Sequence, residues 1–294
     1  MNPEMNAMKW TKNNMPASDA AQELSLMAPA RIEKVRQFHR SFPQYKPTPL
    51  VSLERFAENF GLGGVYIKDE SHRFGLNAFK VLGGSFAMAQ FIAKHVGRDI
   101  SELGYSQLTS PDVKKTIGEY TFFTATDGNH GRGVAWAANQ IGQHSVVYMP
   151  KGSSQPRLMA IRGEGARAEI TERNYDDAVR LATAESNKTP NSVVIQDTAW
   201  EGYEEIPGWI MQGYGTMALE AAEQLGELGV ERPTHIFVQA GVGSLAGAVQ
   251  GFFANLYPDN VPVTTIVETA VADCLYRSAV QGDGSTIAVG GDLV

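Results

Sequence analysis

Asn77-Ala78-Phe79-Lys80-Val81-Leu82-Gly83-Gly84 places one lysine between an apolar approach and an apolar helix start. A lysine held in dry surroundings can lose its proton and act as a nucleophile. Two further stretches give such a group something to act with. A polar turn, Asp127-Gly128-Asn129-His130-Gly131, follows the apolar run at 121–126, and a glycine loop, Gly241-Val242-Gly243-Ser244, follows another at 235–239.

Outward from these three points, short apolar runs alternate with longer stretches of helical period. The pattern predicts strands at 65–67, 120–125, 145–149, 168–170, 193–195, 235–239 and 263–267, with helices over 83–94, 133–141, 154–163, 175–185, 209–228 and 245–256. Repeated strand-helix-strand units imply an α/β fold whose parallel sheet is covered on both faces. Function in such folds lies at the carboxyl ends of strands, and all three stretches sit there or beside such loops. The polar residues 97–115 read as a surface excursion, and a domain boundary fits near 197–207. Ile32, Val35 and Phe38 form one helical stripe, and Pro47-Thr48-Pro49 enforces extended chain after it.

Composition narrows the partners. The chain has 294 residues and a formal net charge of −7 without a long basic run, which argues against nucleic acid or an anionic membrane and for a small-molecule substrate. Cys274 is the only cysteine, so no internal disulfide or cysteine-based zinc site forms, in keeping with a reducing cytoplasm. The start of the chain is polar over residues 1–18, read as neither a signal peptide nor an anchor, and no later run is long enough to cross a bilayer. No H-E-x-x-H or G-x-S-x-G pattern is present, so neither a zinc hydrolase nor a serine hydrolase is expected.

Each site residue has an ordinary reading beside the functional one. Gly241, Gly243 and Ala246 fit the dinucleotide pattern, with Glu268 at the end of the next strand as a ribose-binding acid, so a nicotinamide-dependent oxidoreductase is a rival. What both readings share is a set of unobstructed backbone amides at a helix N-terminus, which bind phosphate. Lys80 could be a solvated helix-start lysine, Asp127 a turn former with Gly128, and His130 a local hydrogen-bonder. Asp197 precedes Thr198-Ala199-Trp200-Glu201, a capping-box pattern, and could simply be a helix-entry residue. Lysine, polar turn and phosphate loop taken together suggest pyridoxal phosphate.

Lys68-Asp69-Glu70-Ser71, the stretch from Phe74 to Lys80, Thr126-Asp127-Gly128-Asn129-His130-Gly131-Arg132-Gly133, Gln196-Asp197-Thr198-Ala199-Trp200-Glu201-Gly202-Tyr203 and Gly241-Val242-Gly243 resemble the diaminopropionate ammonia-lyase family. That family lies within the tryptophan synthase beta-like, fold-type II pyridoxal phosphate enzymes, and the resemblance runs from about Arg36 to the end. Threonine and serine dehydratases of the same group commonly carry serine where Asp127 stands. The resemblance implies a large domain from residues 1–75 and 206–294 around a smaller one at 76–205, in a cytoplasmic homodimer. It implies Lys80 as the Schiff-base lysine, Asn129 as the partner of the cofactor's phenolic oxygen, and Gly241, Val242, Gly243 and Ser244 as the phosphate loop. The implied reaction is α,β-elimination of D- and L-2,3-diaminopropionate to pyruvate and ammonia, with Lys80 and either Asp127 or Asp197 serving opposite faces of the substrate.

The family continues well past the Val289-Gly290-Gly291-Asp292 motif. A C-terminally truncated large domain is therefore expected, with an unpaired sheet edge after 263–267, poor cofactor binding and slow turnover. The alternatives kept open are a serine/threonine dehydratase-like lyase, the nicotinamide enzyme and an inactive remnant.

Overall fold

In the computed structural model, which describes residues 8–14 and 24–289, the chain enters through helix α1 (Pro29–Arg40). Strand β1 (Leu50–Ser52), helix α2 (Glu54–Asn59) and strand β2 (Tyr66–Lys68) follow, β1 and β2 pairing antiparallel with Val51 opposite Ile67. That hairpin is the one antiparallel pair of named strands among the described residues, and strict strand-helix alternation did not anticipate it. The residues before 8, those at 15–23 and the Gly290-Gly291-Asp292 part of the terminal motif lie outside the described residues.

The long helix α3 (Lys80–Val96) begins at the lysine itself, three residues earlier than its periodicity predicts. The stretch taken for a surface excursion then folds into two short helices, α4 (Tyr105–Leu108) and α5 (Pro111–Ile117). Leu103, Leu108, Val113 and Ile117 are buried there, so the segment is core under a polar exterior. These four buried residues are too widely spaced among polar ones to register as a stripe. Ser110 caps α5 by accepting from the Val113 N–H, and Pro111 occupies the first turn, where its missing N–H costs nothing.

The central unit is a four-stranded parallel sheet in the order β5-β4-β3-β6, formed by β3 (Thr121–Ala125), β4 (His144–Met149), β5 (Arg167–Ile170) and β6 (Ser192–Val194). Helices α6 (Asn129–Gln140), α7 (Gln155–Gly163) and α8 (Tyr175–Lys188) connect these strands. Phe123, Ala125, Val146 and Tyr148 face Ala178 and Ala182 of α8 on one side, while Val147, Met149 and Ala168 face Ala135, Leu158 and Ile161 on the other. A sheet covered on both faces needs apolar side chains at successive positions, and that is why these strands read as unbroken apolar runs.

Helix α9 (Glu205–Glu227), strand β7 (His235–Gln239), helix α10 (Ser244–Leu256), strand β8 (Val263–Val267) and helix α11 (Cys274–Gln281) complete the described chain. β7 and β8 pair in parallel as a sheet of two, leaving Phe237 72% exposed and Val263 and Val267 more than half exposed. The capping-box expectation fails here: α9 starts at Glu205, not near Thr198. Residues 198–204 instead form a turn in which Trp200 and Tyr203 stack with ring centroids 4.0 Å apart.

Helix α3 is the piece on which the rest converges. It packs between α6 and α9 at distances only glycine allows. A Cβ on Gly133 of α6 would lie 2.8 Å from the Val81 Cα, and one on Gly213 of α9 would lie 2.4 Å from the Leu82 carbonyl oxygen. One continuous apolar core takes residues from α1, α3, α6, α9 and α10, so the start of α3 is fixed from several directions.

Candidate active site

The approach to Lys80 is built by a buried ion cluster. Arg73, with no exposed surface, donates through Nη2 to Glu70 Oε1 and to Glu220 Oε2 of α9, each at 2.7 Å, while Lys68 Nζ lies 2.8 Å from Glu220 Oε2. Burial raises the Glu220 carboxyl, but the Arg73 hydrogen bonds and the Arg73 and Lys68 charges outweigh it and bring it down to about 2. The cluster pins residues 68–75 to α9. Arg132 of α6 then donates to the Leu76 carbonyl at 3.1 Å, and Asn77 turns the chain with a φ of 58°.

Lys80 emerges from this approach with its ammonium flanked by two aromatic rings, 5.5 Å from the centroid of Phe79 and 5.6 Å from that of Tyr214. Its Nζ donates to Asp197 Oδ2 at 2.5 Å. Asp197 sits just past the carboxyl end of β6 and is 5% exposed. Burial alone would raise its carboxyl; the adjacent His130 ring and the Lys80 ammonium with its hydrogen bond outweigh burial and hold it well below the usual carboxylate range. Burial would likewise lower the Lys80 amine, and Asp197 reverses the sign, lifting it above the ordinary lysine value. The dry lysine of the sequence reading is thus a paired ammonium. Asp197 is both what holds its proton and the nearest acceptor for it.

His130, near the start of α6, completes this cluster. Its Nε2 meets the Ile195 carbonyl at 2.8 Å, and a carbonyl only accepts, so Nε2 carries the ring proton. Nδ1 faces Asp197 Oδ2 at 3.8 Å and has no hydrogen-bond partner among the described residues. Burial pushes this imidazole down, with the Asp197 charge pulling the other way.

Asp127 and Asn129 occupy a different setting. Asp127 is 63% exposed, and its carboxylate lies 3.7 Å from Arg157 Nη1, which also donates to the Asp127 main-chain carbonyl at 3.2 Å. Asn129 is exposed at the first position of α6. The structure therefore brings Lys80, Asp197 and His130 into contact and leaves Asp127 at the rim.

Gly241 and Val242 are exposed and Gly243 adopts a φ of 90° just before Ser244 opens α10. A Cβ on Gly241 would meet nothing within 4 Å, so the amides of the loop stand open at a thirteen-residue helix N-terminus. Glu268, the rival reading's ribose acid, is spent otherwise. Its two carboxylate oxygens accept from the Leu275 and Tyr276 N–H groups at the start of α11.

Several functional neighbours escaped sequence reasoning. Tyr214, Tyr175, Gln196 and Arg157 surround the lysine or the Asp127 turn, and Arg73 and Glu220 anchor its approach. Glu220 did carry a signal, a lone carboxylate in the apolar run Met217-Ala218-Leu219-Glu220-Ala221-Ala222. Such a residue on a core-facing helix side is buried only when paired.

Among the described residues, the buried polar atoms without a well-formed hydrogen bond include His130 Nδ1, Thr198 Oγ1 and the Tyr214 hydroxyl. A near-buried amine with its own proton acceptor, unpartnered polar atoms beside it and an anion-binding helix N-terminus fit an aldehyde cofactor that carries phosphate. Fold and site define a lysine-centred α/β enzyme. The chain belongs to the pyridoxal-phosphate dependent enzyme family, whose model matches residues 42–292, and its cofactor is pyridoxal 5′-phosphate.

It is 52% identical over 270 residues to the diaminopropionate ammonia-lyase of Salmonella typhimurium, covering 92% of this chain and 67% of that one. Among solved structures, the diaminopropionate ammonia lyase of Escherichia coli in complex with D-serine superposes with a TM-score of 0.84 at 48% identity, over 94% of this chain and 68% of that one. The same enzyme in complex with an aminoacrylate-PLP azomethine reaction intermediate gives 0.81 at 48% identity, over 92% and 66%. The chain thus spans about two thirds of the length of these relatives, and the fold is the fold-type II architecture expected from the sequence. Among the described residues no helix is long and apolar enough to cross a membrane, and no cluster of His, Cys, Asp or Glu could hold a metal ion.

Proposed function

We propose that this chain carries pyridoxal phosphate on Lys80 and eliminates ammonia from 2,3-diaminopropionate, accepting both mirror forms and giving pyruvate. The observation that carries the reading is the pairing of Lys80 with Asp197, set against a second carboxylate, Asp127, held apart from it at the rim. When bound, the cofactor supplies an electron sink for loss of the α proton and departure of the β-amino group.

The residues divide the remaining work. Asp197 Oδ2, the nearest acceptor of the Lys80 proton, would orient the amine that would hold the cofactor and exchange a proton with the substrate. The Gly241, Val242, Gly243 and Ser244 amides would hold the phosphate, and Asn129 would meet the phenolic oxygen. Asp127, exposed and paired with Arg157 at 3.7 Å, is the carboxylate free to take the α proton of the other enantiomer. Two carboxylates also suit a substrate whose leaving group begins as an ammonium, whereas a hydroxyl-leaving dehydratase has no cation to balance. Relatives bearing the diaminopropionate ammonia-lyase name support this choice.

A domain division at 76–205, a cytoplasmic location and a two-chain assembly belong to the same proposal, Cys274 being the chain's only cysteine. The test is to load the purified chain with pyridoxal phosphate, reduce with borohydride, map the labelled peptide and assay pyruvate from D- and L-diaminopropionate, L-serine and L-threonine. Label on Lys80 with diaminopropionate preferred is the expected result. Label on another lysine, preference for the hydroxy amino acids, or binding of a nicotinamide cofactor instead overturns it.

A further inference from the structure

Gln196, adjacent to Asp197 and fully buried, has every polar atom of its side chain engaged. The last main-chain bond between the two strand ends is the Ile195 N–H donating to the Phe123 carbonyl at 2.8 Å. Beyond it the backbones part, and the Gln196 side chain takes over: Oε1 accepts from the Ala125 N–H and from the Thr124 hydroxyl, each at 3.0 Å. A main-chain N–H only donates, so the atom facing Ala125 is the carbonyl oxygen and the amide orientation is settled. Nε2 therefore points the other way, donating to the Tyr175 oxygen at 2.8 Å and reaching Asp197 Oδ1 at 3.4 Å.

The backbone is held too. The Tyr203 hydroxyl accepts from the Gln196 N–H and donates to the Val194 carbonyl, both at 2.8 Å. We propose that Gln196 is a positioning residue: its amide N–H holds Asp197 Oδ1 so that Oδ2 meets Lys80, and the same amide occupies the Tyr175 oxygen so that the Tyr175 proton points away from it. This rests on the assignment of Lys80 and Asp197 above. It goes beyond that assignment by naming what sets the angle of the carboxylate.

The titratable groups that face Asp197 are Lys80 at the start of α3, His130 on α6, Tyr175 on α8, Tyr203 in the turn and Tyr214 on α9. Tyr175, Tyr203 and Tyr214 are all raised, burial being the leading cause, and stay neutral near neutrality. Gln196→Glu keeps the accepting oxygen on Ala125 while turning the donor that faces Asp197 and Tyr175 into an acceptor. Two carboxyl groups that close together share a proton.

The expected result is a new carboxyl titration between about pH 5 and 8, seen by carbon-13 NMR of labelled protein with or without cofactor, and absent when Gln196→Glu is made on Asp197→Asn. Gln196→Met, which keeps length and loses both donors, should lower kcat for ammonia release by about 10–100-fold with KM little changed. A melting point lowered with kcat unchanged, or no new titration in Gln196→Glu, overturns the proposal. Failure of the unsubstituted chain to fix cofactor on Lys80 overturns the functional reading instead, and the NMR titration still decides the role of Gln196.

Discussion

Two aspartates follow two neighbouring strands of one sheet, yet their settings are opposite. Asp197, past β6, is 5% exposed and bonded to Lys80 at 2.5 Å; Asp127, past β3, is 63% exposed and 3.7 Å from an Arg157 that is itself 54% exposed. In the first pair both charges have left most of their water, so each needs the other. In the second, solvent screens the attraction and the pair holds loosely. A carboxylate that fixes a lysine and a carboxylate free to act on a substrate call for these two environments.

The largest break in this contrast is Lys80→Ala. It should abolish borohydride fixation of cofactor and all pyruvate release, and by stranding a buried carboxylate it should cost about 3 kcal/mol of stability in urea unfolding. Asp197→Asn should lower turnover of both enantiomers by about 10²–10⁴-fold, because the Lys80 proton loses its acceptor. Equal rates in the variant and the parent would leave Asp197 a structural residue only.

Asp127→Asn should act on one enantiomer alone, by about 10²-fold, with stability changed by less than about 0.5 kcal/mol. Loss of both enantiomers in equal measure would erase the distinction between the two carboxylates. Arg157→Met should change turnover only a few-fold, and raising salt from about 0.05 to 1 M should reproduce that change in the parent chain, since screening at the higher concentration acts within about 3 Å. The Lys80–Asp197 pair should not respond to salt.

Acid and base sharpen the comparison further. The Asp197 carboxyl is lowered on folding, so its contribution is present above about pH 4 and is lost as pH falls through its folded value. The Lys80 amine is raised, so its contribution is present below about pH 10.5 and lost as pH rises through its folded value. His130 is lowered and stays neutral in the fold, which withdraws stability as pH drops below about 6.5. Chemical unfolding of Asp197→Asn across pH should therefore diverge from the parent least at the extremes and most near neutrality.

Much of the strand-helix order was legible because parallel strands buried on both faces read as apolar runs, and β7 and β8 fall where the sequence places them. β2 lies close to the strand predicted at 65–67, but β1 and its antiparallel pairing were not read, since a three-residue strand with Val51 half exposed carries no periodicity. Thr198-Ala199-Trp200-Glu201 showed the limit of local pattern: the residues of a capping box were present, but the stack of Trp200 on Tyr203 and the grip of the Tyr203 hydroxyl on Val194 and Gln196 made a turn. Lys80 stood out by its apolar flanks, whereas Gln196 and Tyr214 had no local mark, being defined by partners far along the chain.

Residue type and spacing alone pointed to the class of chemistry while leaving a nicotinamide rival open: a lysine at an apolar helix start, an Asp-Gly-Asn turn after one strand and a glycine loop after another. Each depends on local backbone, and local backbone is written in consecutive residues. Which aspartate meets the lysine, and with what charge, was decided only by tertiary packing. Lys80 and Asp197 are 117 positions apart and meet because Gly133 and Gly213 let α6 and α9 close on α3, and because Gln196 bridges two diverging strands. Burial by itself would have lowered the lysine amine. A carboxylate carried in from another part of the chain reversed that sign.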